Sequence, residues 1–229
     1  MSDLLPPTHL LFSLSLVAFY LGLILLVAER LKRYYSSNSE LTRKVVHIGT
    51  GNVILLAWWL KIPAWVGISA AVIAALVAIV SYFVPILPSI NSVGRKSLGT
   101  FFYAVSIGVL VAWFWQIQQY HFAAIGILIM SYGDGLAAIV GQRFGKHPYR
   151  VWGNQKSWEG SLTMTGISFI VTALLLLSVY GNLGIIWLIA FMIALNATIL
   201  ESFSMWGLDN LTVPLGSAAL AFVLCQWLI

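Results

Sequence analysis

Charged side chains are scarce in this sequence: Asp, Glu, Lys and Arg make up 8% of its 229 residues, against about a quarter in an ordinary soluble domain. Hydrophobic residues make up 60%. Water is therefore not the main solvent of this chain, and a soluble domain large enough to house an active site is excluded. We expect an all-α, polytopic membrane protein that forms one integral-membrane domain over residues 1–229.

Several common site motifs are also missing. The single cysteine, Cys225, excludes an internal disulfide. No GxxxxGK[ST] string occurs, which excludes a Walker phosphate loop. Cys and His do not cluster at the spacing of a zinc site. Any chemistry must come from other residues on membrane helices and their loops.

Long apolar runs are what the sequence does contain. A hydrocarbon core about 30 Å thick takes about 20 apolar residues for each helical crossing. The second and last of the candidate segments are the least clear. We predict eight spans, near residues 10–28, 45–60, 64–84, 99–117, 121–141, 161–180, 184–201 and 211–228.

The basic residues predict the orientation of these spans. With eight crossings, eleven of the twelve Lys and Arg residues fall in loops on one face, and only Lys61 falls opposite. By the positive-inside rule this face is cytoplasmic or its organellar equivalent, and both termini lie on the far side. The net charge of +5 is then a topological signal and does not indicate a nucleic-acid partner. Five tryptophans near the opposite interface predict an aromatic belt there: Trp58, Trp59, Trp65, Trp113 and Trp115.

The segment 131–160 is the most unusual chemically. Asp134 interrupts an apolar run, and an ionisable group at membrane depth costs roughly 2.5–3.5 kcal/mol, so it usually faces a cavity or a partner. A structural carboxylate held by a neighbouring helix is the alternative. The following loop combines cations with glycines, which suits the binding of phosphate oxygens. Its candidate phosphate-binding residues are Arg143, Gly145, Lys146, His147, Lys156, Ser157 and Gly160.

Two other loops on the same face add cations. Arg43 and His47 lie four residues apart, and therefore on one side of a helix, with Lys44 one position round. Arg95 and Lys96 precede the fourth span, where free N–H groups at a helix N-terminus favour anions. Topology alone is the alternative for Arg43 and Lys44, and a packed, hydrogen-bonded role is the alternative for His47.

Acidic residues complete the candidate site. Glu201 and Asp209 lie at or near cytoplasmic ends of spans, and Glu159 is on the same side. An N-cap before the last helix is the alternative for Asp209. We expect catalytic roles for Asp134, Glu201 and His47. We expect Mg²⁺ to be held by Asp134, Glu159 and Asp209, and the division between base and metal ligand stays open for Asp134.

Four blocks carry a family resemblance: ELTRKVVHIGTG, SYGDGLAAIVGQRFGKH, KSWEGS and ESFSMWGLDNLTVPL. Together they resemble the signature blocks of the polyprenol kinase family, which includes phytol, farnesol and dolichol kinases. The resemblance extends from about Glu40 to Leu215. The short, eight-span form is most similar to the phytol kinases of photosynthetic organisms, which return phytol to tocopherol synthesis.

The resemblance implies a phosphotransferase with an alcohol acceptor. Such an enzyme uses a nucleoside triphosphate, typically CTP, to phosphorylate an isoprenoid alcohol dissolved in the bilayer, with phytol the expected substrate. It implies a multi-pass protein of a bacterial inner or photosynthetic membrane with its active site on the cytoplasmic face. Two alternatives stay open, a membrane cytidylyltransferase acting on a phospholipid and an ion-coupled transporter. Nothing in the sequence indicates a protein partner.

Overall fold

A computed structural model describes residues 7–34, 39–83 and 98–229. The elements of these parts follow in chain order: α1 (Pro7–Tyr34), α2 (Ser39–Gly51), α3 (Val53–Trp59), α4 (Ala64–Phe83), α5 (Gly99–Phe114), α6 (Tyr120–Leu128), a π-helical segment (Ile129–Asp134), α7 (Gly135–Phe144), β1 (Pro148–Val151), β2 (Asn154–Ser157), α8 (Trp158–Tyr180), α9 (Ile185–Ser202) and α10 (Asp209–Leu228).

The described chain is nearly all helical, and six of its helical segments are long and apolar enough to cross a membrane. They are consistent with a multi-pass helical membrane protein. Each of the eight predicted spans coincides with helix, but the second is divided at Asn52 into α2 and α3. The fourth, α5, has 16 residues and is shorter than a full crossing. The count of eight and the orientation of the termini stay predictions.

The continuous segment from α6 through the π-helical turn to α7 forms the centre of the bundle. In its most apolar stretch of 18 residues 72% of the residues are buried, whereas the share in the corresponding stretch of α1 is 6%. Small residues allow this close packing: a Cβ placed on Gly126 would lie 2.3 Å from the Pro214 carbonyl oxygen of α10. Helices α8 and α10 pack on the central segment, and α9 packs on both of them.

The expectation of an all-α protein needs one correction, because the predicted loop after α7 contains two β-strands. Residues 148–157 form an antiparallel hairpin in which Val151 pairs with Asn154. Its two-residue turn holds Trp152 at φ 46° and Gly153 at φ 85°. Left-handed conformations at both central positions characterise the type I′ turn, whose twist matches that of the strands. Asn usually fills the first position, so Trp152 gave no turn signal.

Candidate active site

Five charged side chains from distant parts of the sequence meet at one end of the bundle, which we call the charged end. They are Lys44 of α2, Asp134 of the π-helical segment, Lys156 of β2, Glu201 of α9 and Asp209 of α10. All of them except Lys44 are the terminal or penultimate residues of their elements. The fold thus brings together members of all three predicted groups: catalytic, phosphate-binding and metal-binding.

Lys44 and Asp134 form a buried ion pair. The Lys44 Nζ atom lies 2.5 Å from Asp134 Oδ2, and the side chains are only 7% and 13% exposed. Removing one partner of such a pair leaves an uncompensated buried charge. Asp134 ends the π-helical segment, and a π-helical turn inside a longer helix frequently marks a functional site.

His47 lies beside this pair with one ring nitrogen unused. Its Nε2 atom is 4.0 Å from Asp134 Oδ2, and this buried atom has no hydrogen-bond partner. In the neutral tautomer with the proton on Nδ1, the Nε2 lone pair is available as an acceptor.

Tyr103 and Ser131 form part of the same wall and were missed by sequence reasoning. The Tyr103 hydroxyl lies 2.7 Å from Ser131 Oγ, which donates to the Ile127 carbonyl 2.7 Å away. The Tyr103 ring also contacts the ring of His47, with centroids 4.5 Å apart. A Cβ on Gly51 would lie 2.0 Å from Ser131 Oγ, so α2 approaches the central helix this closely only with glycine there. A tyrosine inside an apolar span gives no distinguishing signal.

Lys156 forms the second pair with Glu201. Its ammonium group donates both to the Glu201 carboxylate and to the Glu201 backbone carbonyl. Burial works against the charge of Lys156, but the Glu201 carboxylate, with smaller contributions from Asp209 and Asp134, outweighs it and raises the pKa of Lys156 above its ordinary value. Lys156 therefore stays cationic and faces three carboxylates.

The hairpin is attached to the bundle by polar contacts near Lys156. The Tyr149 hydroxyl lies 2.6 Å from Ser161 Oγ and 3.1 Å from Ser202 Oγ. The Asn154 amide donates to the Ser204 carbonyl over 3.2 Å. The Ser157 hydroxyl caps α8 by accepting from Gly160 N–H at 3.1 Å. These bonds fix the position of Lys156 against α9.

A cavity of about 2840 Å³ opens between these elements. The five residues of the charged end all line it, together with His47 and Tyr103. Other predicted phosphate-binding residues on its wall are Arg43, Gly145, Ser157 and Gly160. The cavity therefore joins fixed cations, carboxylates and a helix N-terminus around one space.

Other predicted site residues lie outside this cavity. Arg143 and Lys146 are exposed, and the Arg143 guanidinium lies over the Phe144 ring. His147 Nδ1 lies 2.7 Å from Glu159 Oε1, so the Glu159 carboxylate is paired with His147. Arg95 and Lys96 lie outside the described residues. The predicted phosphate-binding loop is thus divided into an inner part around Lys156 and an outer part around Lys146.

The carboxylates at the charged end could hold a magnesium ion together with substrate phosphates, but not as a complete protein site. Within residues 7–34, 39–83 and 98–229, no three His, Cys, Asp or Glu side chains gather as a complete metal site. Mg²⁺, however, is usually held by one or two carboxylates together with substrate phosphates and water. Asp134 and Asp209, which both line the cavity, fit that requirement, whereas Glu159 lies away from it.

Comparisons with known proteins agree with the sequence blocks. No family model matches the chain, and no solved structure matches it. The chain is similar to "Phytol kinase" of Synechocystis sp., with 56% identity over 92% of this chain and 90% of the relative. It is also 30% identical to "Phytol kinase 1, chloroplastic" of Arabidopsis thaliana, over 87% of this chain and 71% of the relative. "Farnesol kinase, chloroplastic" of the same plant is 30% identical over 82% and 66%. The chain therefore belongs to the polyprenol kinase family, the group that contains the phytol and farnesol kinases.

Proposed function

We propose that the protein transfers the γ-phosphoryl group of CTP to the hydroxyl of an isoprenoid alcohol, with phytol as the preferred acceptor. Relatives named as phytol and farnesol kinases support the alcohol and the reaction class. The single observation that carries the proposal is the cavity at the charged end, where Lys44, Asp134, Lys156 and Asp209 share one space with an unpartnered His47 nitrogen. An apolar alcohol from the bilayer and a nucleotide from the cytoplasm can meet at such an end.

The chemical step is a single displacement. The alcohol oxygen attacks the γ-phosphorus, the bond from that phosphorus to the β,γ-bridging oxygen breaks, and CDP leaves. Phosphoryl transfer asks a protein mainly to position the reactants and to neutralise charge. We assign charge neutralisation to Lys44 and Lys156, which are already held by carboxylates and need little reorganisation to meet phosphate oxygens.

His47 is the group we assign to the alcohol proton. Its Nε2 atom is an available acceptor next to Asp134, and the Asp134 carboxylate stabilises the imidazolium that forms. The atoms balance: the proton passes to Nε2, the phosphoryl group passes to the alcohol, and CDP carries the electrons of the broken bond.

A magnesium ion, when bound with the nucleotide, would neutralise the β- and γ-phosphate oxygens. Asp134 and Asp209 are the residues that would hold it. Glu201 is assigned to orienting Lys156, the cation with which it is paired. The cavity wall near the start of α8 is made of small residues, so that a phosphate can approach the helix N-terminus there. These residues are Gly145, Ser157 and Gly160.

The charged end is proposed to face the cytoplasm or its organellar equivalent. This assignment follows from the excess of Lys and Arg in the loops at that end, and from the nucleotide being a soluble substrate. We propose a bacterial inner membrane or a photosynthetic membrane as the location, with tocopherol synthesis as a destination for the product.

Label transfer tests the reaction directly. Purified protein in detergent receives Mg²⁺, phytol and CTP that carries the label in either the γ- or the α-phosphate. Extraction into organic solvent then separates labelled lipid. We expect label only from the γ-position. Label from the α-position would instead identify a cytidylyltransferase, and no lipid label from either position would remove the support for kinase chemistry.

A further inference from the structure

The cavity at the charged end continues into the apolar part of the bundle. Beyond His47 its walls carry almost only apolar and small side chains, contributed by α1, α3, α4 and α5. On the α2 and α3 side the lining runs from Lys44 to Ala57. These thirteen steps correspond to roughly 20 Å at 1.5 Å per helical residue. We call this continuation the apolar cleft.

Small residues of α1 and α4 line the apolar cleft. A Cβ placed on Gly22 of α1 would have no heavy atom within 4 Å, and Gly22 lines the cavity. Ala70 and Ala74 of α4 are exposed and also line it. By contrast, a Cβ on Gly49 would lie 2.7 Å from Ile24, because α1 and α2 are in close contact there. The open space therefore lies on the Gly22 face of α1 and not on the face that packs on α2.

The polar end of the apolar cleft is marked by a group without a partner. His47 Nε2 is buried and lacks a hydrogen bond, although His47 lines the cavity where its polar and apolar parts meet. A ligand with one hydroxyl and a long hydrocarbon tail satisfies both surroundings together. Its hydroxyl meets Nε2, and its tail covers the apolar walls.

We infer that the apolar cleft holds the isoprenoid tail of the alcohol, and that Ala70 limits the length of tail that the protein accepts. This inference rests on the proposed kinase function. Ala70 adjoins Ala71, which packs on Gly108 five residues beyond Tyr103 in α5, so it lies roughly 8 Å deeper than the residues around His47. Gly22 lies between Tyr20 and Ile24, which both contact Gly49, and it is therefore within about one helical turn of His47. A bulky side chain at Ala70 would obstruct a long tail and leave room for a short one, whereas one at Gly22 would obstruct every tail.

Chain-length selectivity tests the inference. Gly22→Phe and, separately, Ala70→Phe are assayed with geraniol, farnesol and phytol in the γ-labelled CTP reaction. The matched control is Gly166→Phe in α8, where a Cβ also meets open space but the residue does not line the cavity. For phytol we expect kcat/KM to fall by at least about tenfold in both variants, equivalent to ~1.4 kcal/mol. For geraniol we expect a change of less than about twofold in Ala70→Phe, which is under ~0.5 kcal/mol, but a loss comparable with that for phytol in Gly22→Phe.

The outcomes separate the inference from the function on which it rests. Wild-type protein that labels no alcohol contradicts the proposed function. Active wild-type protein in which Ala70→Phe loses geraniol and phytol turnover equally, or loses neither, contradicts the assignment of the tail. Selectivity that changes equally in Gly166→Phe also overturns it, since that position lies elsewhere. If Ala70→Phe does not fold, Ala70→Leu is the second variant, and equal effects on the two alcohols there would also contradict the assignment.

Discussion

The two ends of the bundle are built differently. At the charged end, ion pairs surround an open cavity. At the opposite end, which we call the aromatic end, Trp58, Trp115, Tyr120, His121 and Tyr180 pack against one another. Trp115 Nε1 donates to the Ile62 carbonyl over 2.9 Å, and His121 Nε2 lies 3.2 Å from the Tyr180 hydroxyl. Trp115 and His121 at the aromatic end thus have partners within the protein, whereas the ion pairs at the charged end face a space that a ligand can enter.

The two ends also show that burial of a polar residue does not by itself indicate a catalytic role. His47 and His121 are both largely buried histidines. His121 has a tyrosine partner and is surrounded by rings, while His47 Nε2 has none and lines a cavity. We therefore assign function to the first end and architecture to the second.

Sidedness gives the largest expected effect, because labelling is all or none. In a background with Cys225 replaced by alanine, single cysteines are placed at Lys146 on the charged side and at Asn182, in the exposed connection between α8 and α9. In sealed vesicles we expect an impermeant maleimide to label each position from one side only, and from opposite sides. Labelling of both positions from the same side would contradict the separation of the two ends by the membrane.

Asp134→Asn gives the next largest effect. The change keeps the size of the side chain but removes the charge that the proposal uses, so we expect the initial rate of phytol phosphorylation to fall about 10³-fold or more, at 1.36 kcal/mol for each tenfold. Asp134→Glu, which keeps the charge, is the control and should retain more activity than the amide. If Asp134 were purely structural, the variant protein that folds would instead keep more than about a tenth of the wild-type rate per folded molecule at saturating Mg²⁺, a loss below ~1.4 kcal/mol.

Lys156→Met addresses the second pair. Loss of a preorganised charge contact in an active site lowers turnover by about 10²–10³-fold, and we expect a decrease of that order.

The raised pKa of Lys156 also predicts a pH dependence of stability. A lysine whose folded pKa is raised stabilises fully below its unfolded value of 10.5 and loses that contribution only as the pH rises through the higher folded value. The difference in Tm between wild type and Lys156→Met should therefore be constant from neutral pH to about 10 and shrink above 10.5; a difference that vanishes near neutral pH would show that the pair does not hold the hairpin.

Tyr180→Phe gives the smallest effect and belongs to the aromatic end. It removes the hydroxyl next to His121 and should lower the free energy of unfolding by about 0.5–1.5 kcal/mol, the usual net contribution of one hydrogen bond. Thermal unfolding in detergent measures the loss, and the kcat for phytol should stay close to wild type. A fall in kcat comparable with that of Lys156→Met would remove the distinction between the ends.

The sequence predicts the apolar helices well, because each is a long run of apolar residues. It also identifies Asp134 and Lys156, since an acid in an apolar span and a lysine in a glycine-containing loop are both unusual there. It does not predict their partners. Lys44 and Asp134 are ninety positions apart, and topology alone was the alternative for Lys44.

Other features depend on packing that no local pattern reveals. The hairpin uses Trp152 in a conformation that favours glycine or asparagine, so its turn is not visible in the sequence. Of the tryptophans in the predicted aromatic belt, Trp59 and Trp65 are exposed, but Trp115 is buried and donates to the Ile62 carbonyl. Tyr103 became a candidate site residue only when the structure placed its ring against His47.

Replacing both members of the buried pair, as Lys44→Met with Asp134→Leu, tests the central claim most directly. Substituting a buried ion pair by apolar side chains of similar size is often neutral or stabilising, by about 1–4 kcal/mol. If the pair serves chemistry, the double variant should have a Tm at or above the wild-type value, while the rate of γ-phosphoryl transfer to phytol falls by about 10³-fold or more. A double variant that folds normally and retains more than about a tenth of the wild-type rate would contradict the assignment of the charged end as the active site.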